Sequence, residues 1–447
     1  MAYHIGPWKI VPALFLQTCF FLATIKSIGV YFPELRRDLG ITATDLGITL
    51  GIFEAFSFVP GSFVAILNHK HGIQRPLIIG GAILASVGLI SSSLVGTSAQ
   101  LSICLAASGL GINIMSITLG IALSEQSGDR FDLLFGIGKS GYSLGMSVFP
   151  LLAEYLKNIY GWRGSLIIIG AIMANIIPLV LLVETDKGLT ERGAAQGEEK
   201  NPSMNDVNDN SEQETADQSQ QALITRDEEY PVQSDNNSRC SKNNCSSLYK
   251  LLADSVFNRD RCLVVILTAY TIFSMVDAGW HAFLIPRAVR RGLPTSRALY
   301  LAYTAAVACF IGRCLSGMIL KPKFITAHDW HMVLTIINAL SLIADVCFPH
   351  FAVMIVTSFV TALTIGEMNI LMVVICRDRA PLPCFPVILV ASEIIFGVGA
   401  FIGTTLTGLA ADNLGYNEAF LLLAGFECLV LCIMMSARCS KRSPITD

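Results

Sequence analysis

Runs of roughly 20 apolar residues, each long enough as a helix to cross the ~30 Å hydrocarbon core of a bilayer, recur along this chain and constrain it more than any other feature. They fall at about 10 to 32, 44 to 67, 76 to 97, 101 to 124, 132 to 155 and 164 to 184, then at 261 to 286, 297 to 320, 330 to 348, 351 to 376, 385 to 409 and 416 to 436. Inside lipid every backbone N–H and C=O has to be bonded within the protein, so such runs become helices. The expected fold is an all-α membrane protein with twelve spans. The first run exceeds the roughly 7 to 15 residues of a signal-peptide core and lacks an Ala-x-Ala site, so it reads as a retained helix. Composition agrees, with 53% hydrophobic and 15% charged residues, where soluble chains carry about 25% charged.

Between 186 and 260 the chain turns to Ser, Asn, Gln, Asp and Glu with few aromatics, a composition that cannot bury enough apolar area to offset its ordering entropy. A disordered cytosolic linker is expected there. It separates an N-terminal six-helix bundle, 10–185, from a C-terminal one, 261–436, each about 175 residues long, with cytosolic ends at 1–9 and 437–447. Two equal lobes around a central path is the architecture of a transporter. An even number of spans puts both termini on one side, and eleven Lys and Arg near the span ends on that side against eight on the other favour cytosolic termini.

A net charge of −3 without a long Lys/Arg run excludes nucleic acid as a main partner. The 13 cysteines are odd in number and sit mostly within apolar runs, as small buried hydrophobes rather than a disulfide scaffold. Cys240 and Cys245 have no common metal-site spacing, and neither a metal nor a cofactor is expected. HExxH and P-loop motifs are absent, which argues against an enzyme.

An ionisable residue inside a spanning helix is costly and faces a partner or a wet cavity. Lys26, Glu54, Lys139, Asp277, Arg313, Glu367 and Glu393 are all so placed, with Asp345 and Glu427 on the otherwise apolar spans 9 and 12. Each can either pair to lock helices or serve a solute. Arg313 offers a planar bidentate fork to a carboxylate, and Lys26 a point charge. Glu54, Glu367 and Glu393 read as proton relays or as helix locks. Asp277 and His281 lie near one mouth of span 7, which is expected to end at Pro286. Arg287, Arg290 and Arg291 beyond it either steer anions or form a solvated loop. Tyr142, Asn369, Phe53 and Trp280 are candidate pocket liners, and Gly136, Gly141 and Gly145 with Gly397, Gly399, Gly403 and Gly408 permit close helix approach.

Several motifs resemble the monocarboxylate transporter family of the major facilitator superfamily. Lys26-Ser27-Ile28-Gly29-Val30-Tyr31-Phe32 is similar to its Lys-Ser-x-x-Val-Phe-Phe stretch, and Gly312-Arg313-Cys314-Leu315-Ser316-Gly317 to its Gly-Arg-Pro-x-x-Gly motif. Lys70, Gly72 and Arg75, the Arg130 region before Gly136, the Tyr160-to-Gly164 turn, and Gly408, Asp412, Gly415 and Phe420 match further family signatures. The resemblance implies a two-bundle fold of twelve helices, with Lys26 and Arg313 holding a small organic anion or zwitterion, Arg130 in a cytosolic gate and the plasma membrane as location. It also raises a single-span glycoprotein chaperone as a partner beside the lipid bilayer. The chain departs from the pattern at Cys309, where proton-linked lactate carriers hold an aspartate one turn before the arginine, and at Lys139, a small or apolar position in the family. A thiol cannot replace that carboxylate. The expectation is therefore a carrier of lactate-like acids, creatine, carnitine or aromatic amino acids, facilitated or not coupled through the usual aspartate. The alternatives are a proton symporter using another acid and a non-transporting ligand sensor with a carrier fold.

Overall fold

The computed structural model describes residues 6–71, 73–127, 131–183, 261–319, 325–379 and 385–439. The expected linker at 186–260 and the expected gate residue Arg130 lie outside them. All regular structure in the described residues is helical. The N-terminal half contains α1 (Gly6–Leu39), α2 (Ala43–Phe58), α3 (Gly61–His71), α4 (Gln74–Ser91), α5 (Ser98–Ser127), α6 (Phe131–Lys139), α7 (Gly141–Ala174) and α8 (Ile176–Leu181). The C-terminal half contains α9 (Arg261–Arg290), α10 (Thr295–Ile319), α11 (Ala327–Cys347), α12 (Phe351–Arg379), α13 (Phe385–Asn413) and α14 (Tyr416–Cys439).

Ten helical stretches among the described residues are long and apolar enough to cross a membrane. One of them, Leu134–Leu181, has 48 residues and covers two of the expected spans. Its break is Gly161, at φ 70° and ψ 172°, a conformation open only to glycine. The turn is pinned by Trp162 Nε1 donating to Asp38 Oδ2 at 2.9 Å and Arg163 Nη1 donating to the Ser93 carbonyl at 2.6 Å. The helix expected to stop at Pro286 runs on to Arg290. A proline is tolerated there because neighbouring helices surround the carbonyl it leaves free, and Gly29 of α1 packs against both Ala282 O and Pro286.

Among the described residues the halves meet chiefly where α1 packs on α9, α2 on α13, and α7 on α10. These are charge-bearing helices, whereas α4, α11 and α14 pack mainly within their own half. Along α2 and α13, Gly47 of α2 lies on the Thr404 carbonyl and Gly408 of α13 on the Ala43 carbonyl, with no room for a Cβ at either. Gly141 and Gly145 seat α7 on the α1 backbone in the same way. Gly136 does not share that role, since nothing lies within 4 Å of a Cβ built there.

Candidate functional site

At the middle of the bundle, α1 and α9 bring Lys26 and His281 together across 255 residues of sequence: Lys26 Nζ donates to the His281 carbonyl at 2.6 Å and lies 5.4 Å from the Trp280 ring centroid. Both partners are neutral, so the ammonium is balanced only at a distance, by Asp277 and by Glu54 on α2. Asp277 Oδ1 is 3.2 Å from Nε2 of His281, one helical turn on, and its Oδ2 accepts from Asn369 Nδ2 at 3.4 Å. Lys26, Glu54 and Asp277 retain only 1%, 2% and 3% of their exposure. This inner tier is sealed from solvent.

A second tier adjoins it and is half-exposed. The Arg313 guanidinium of α10 stacks 4.1 Å over the Tyr142 ring of α7 and bonds to the buried thiol of Cys309, one turn earlier. Lys139, at the end of α6, donates to Ser116 Oγ at 3.3 Å, lies 5.3 Å from the Phe135 ring centroid and feels Glu393 of α13 as well as Arg313. Arg313, Tyr142, Lys139, Glu393 and Asn369 are all partly open to solvent although helices of both halves surround them. Tyr142 joins the tiers, because its ring also meets His281 edge-on at 5.8 Å. Aromatic contacts from Phe21 to Phe58 at 5.3 Å and from Phe58 to Phe396 at 4.9 Å carry an apolar wall from one half to the other. Fixed cations beside an aromatic wall are what an organic anion needs to bind.

At the end away from the chain termini the halves are clamped. Asp412, closing α13, accepts from the backbone N–H groups of Ala43 and Thr44 at 3.0 and 2.7 Å and from Thr44 Oγ1 at 2.7 Å. A carboxylate on the first turn of α2 is held by both the free N–H groups and the helix dipole. Arg287 does not reach solvent as an anion-steering group. It is 1% exposed, paired with Asp345 of α11 and stacked 4.0 Å over Phe420. Arg291 bonds Asn417 Oδ1 at 2.7 Å through Nη2 and the Asp345 carbonyl at 2.9 Å through Nη1.

Of the candidate residues read from sequence, Lys26, Glu54, Asp277, Asn369, Tyr142, Cys309, Arg313, Lys139 and Glu393 converge on this centre. Glu367 stands apart, accepting from Trp330 Nε1 of α11 at 2.6 Å as a link between α11 and α12. His281 is a fuller member than its sequence position indicated. The available signal was its spacing of four from Asp277, which stacks the two side chains on one helix face.

The Major Facilitator Superfamily model matches residues 14–328. Mouse monocarboxylate transporter 6 is 23% identical over 424 residues, covering 94% of this chain and 84% of that protein. Rat monocarboxylate transporter 1 is 28% identical over 169 residues, 38% of this chain and 34% of that one. Among solved structures, a bacterial homologue of the human lysosomal transporter Spinster, inward-facing and occupied, superposes with a TM-score of 0.72 at 13% identity, covering 99% of this chain and 100% of that one. The nucleoside transporter NupG superposes with a TM-score of 0.67 at 10% identity, covering 97% of this chain and 99% of that one. At such identities the superpositions speak for the fold.

Proposed function

Since the chain belongs to the Major Facilitator Superfamily as a monocarboxylate transporter-like, multi-pass membrane transporter rather than an enzyme, we propose that it carries small monocarboxylate-type or zwitterionic organic solutes by alternating access. The observation that carries this reading is the pair of cations in adjoining tiers, Arg313 half-exposed on α10 and Lys26 buried on α1, one from each half. Arg313 receives the carboxylate, Tyr142 orients it and Lys26 completes its neutralisation as the halves rock. Lys139, Asn369 and Asp277 line the route for the rest of the solute, Glu54 and Glu393 set the field that the cations feel, and Arg130 serves the gate at the chain termini. Coupling does not run through the position of Cys309, because a thiol bonded to Arg313 is no carboxylate. We place the protein in the plasma membrane with both termini cytosolic, so that the Asp412 clamp is external and the half-exposed tier opens to the cytosol.

The test is radiotracer uptake of lactate, pyruvate, creatine, carnitine and aromatic amino acids at two external pH values, with and without a co-expressed single-span glycoprotein. Saturable uptake of at least one of these solutes is expected. Saturable binding without flux in proteoliposomes would convert the assignment to a ligand sensor.

A further inference from the structure

Away from the central cations, the C-terminal half buries an acid that no Lys or Arg pairs with among the described residues. Glu427 of α14 and Asn338 of α11 are both 0% exposed, and Asn338 Nδ2 donates to Glu427 Oε1 at 2.6 Å. Glu427 Oε2 and Asn338 Oδ1 are shut off from solvent with no hydrogen-bond partner. The charged group whose field reaches Glu427 is another acid, Asp277 of α9. Along α11, His331, Thr335, Asn338 and Asp345 follow at spacings that share one helix face, and all four are buried. His331 sits towards the terminus-bearing end, its Nδ1 3.3 Å from Thr335 Oγ1 and its Nε2 without a partner. Asp345 towards the other end is held by Arg287, and α13 gives its acid Glu393 to Lys139 instead.

A bare carboxylate in such surroundings has to gain a cation or a proton. Hard metal cations such as Mg²⁺ and Ca²⁺ collect six or more oxygens, whereas this pair offers two without a partner, Glu427 Oε2 and Asn338 Oδ1. We propose that Glu427 and Asn338 form a proton-binding site of the C-terminal half, distinct from the central cations, and that its proton is exchanged during solute movement. The coupling clause rests on the transporter reading above. In the step, one O–H bond forms on Glu427 Oε2 as a proton arrives from water along the His331 face, and the same bond breaks when it leaves. The link to the solute is Asp277: an ionised Glu427 adds negative charge beside the carboxylate that faces His281 and balances Lys26.

Two measurements test this with isosteric Glu427→Gln, which mimics the protonated acid, and with Asn338→Leu. Infrared difference spectra of purified protein in nanodiscs, titrated across neutrality, are expected to show a buried carboxylic-acid C=O band that is lost in Glu427→Gln and shifted in Asn338→Leu. In proteoliposomes, an imposed proton gradient is expected to stimulate wild-type uptake of radiolabelled L-lactate or creatine, and Glu427→Gln is expected to lose that stimulation while keeping solute counterflow. A band that survives Glu427→Gln overturns the site. Wild-type uptake indifferent to the gradient, or a variant stimulated like the wild type, overturns the coupling. If wild-type protein moves none of the solutes of the uptake panel, the transporter reading fails while the infrared spectra still decide the site.

Discussion

The two halves are joined along α2 and α13 by close backbone contact, and between α7 and α10 by a cation stacked on an aromatic ring. Gly47 and Gly408 bring main chains together in the first joint, whereas Arg313 and Tyr142 hold side chains together in the second. Small residues in contact have one good arrangement and tolerate no guest between them. A guanidinium stacked over a phenol can exchange a neighbour for a ligand. Under the proposed function, the contrast assigns closure of the halves to the first joint and the solute to the second.

The most disruptive break in this comparison is Gly47→Val, because its Cβ meets the Thr404 carbonyl. Overpacking of that kind costs about 3 kcal/mol, and a fall in the thermal midpoint of detergent-purified protein checks it, with an unchanged midpoint counting against the tight seam. At the second joint, Tyr142→Leu removes the face under Arg313. A cation–π contact is worth about 1 to 2 kcal/mol when desolvated, so apparent solute affinity falls about tenfold with little change in the melting point. Tyr142→Phe keeps the ring and is expected to stay near wild type. The smallest effect belongs to Asp412→Ala, which takes the acceptor from the N–H groups of Ala43 and Thr44 while the Thr42 cap of α2 stays in place. A net loss of about 1 kcal/mol shifts the ratio of open to closed states at that end about fivefold. Spin-label distances between residues 40 and 415 report the shift, and an unchanged distribution removes Asp412 from the clamp.

Much of this was legible in the sequence. Span lengths and charged residues inside apolar runs are properties of composition along one dimension, and they marked the apolar helices and named most of the charged residues that the structure brings together at the centre. What escaped depends on neighbours distant in sequence. The acceptor of Lys26 is a backbone carbonyl, which has no residue signature. Gly136 looks like Gly141 in sequence, yet one faces open space and the other a helix. Arg287 reads as a loop residue once Pro286 is taken as a stop, and becomes an internal ion pair only because α9 continues past it. Glu427 stands out as a charge on a scaffold helix, but Asn338, 89 residues earlier, is an ordinary polar residue until α11 and α14 pack.

Exchanging both Lys26 and Arg313 for glutamine tests the central claim most directly, with saturable radiotracer uptake measured at matched surface expression for the solute carried best by the wild type. Loss of uptake in the double variant, with each single variant reduced at least about tenfold, is the predicted result, since a charged hydrogen bond is worth about 1.5 to 3 kcal/mol. Uptake persisting at the wild-type level with both cations gone would contradict it.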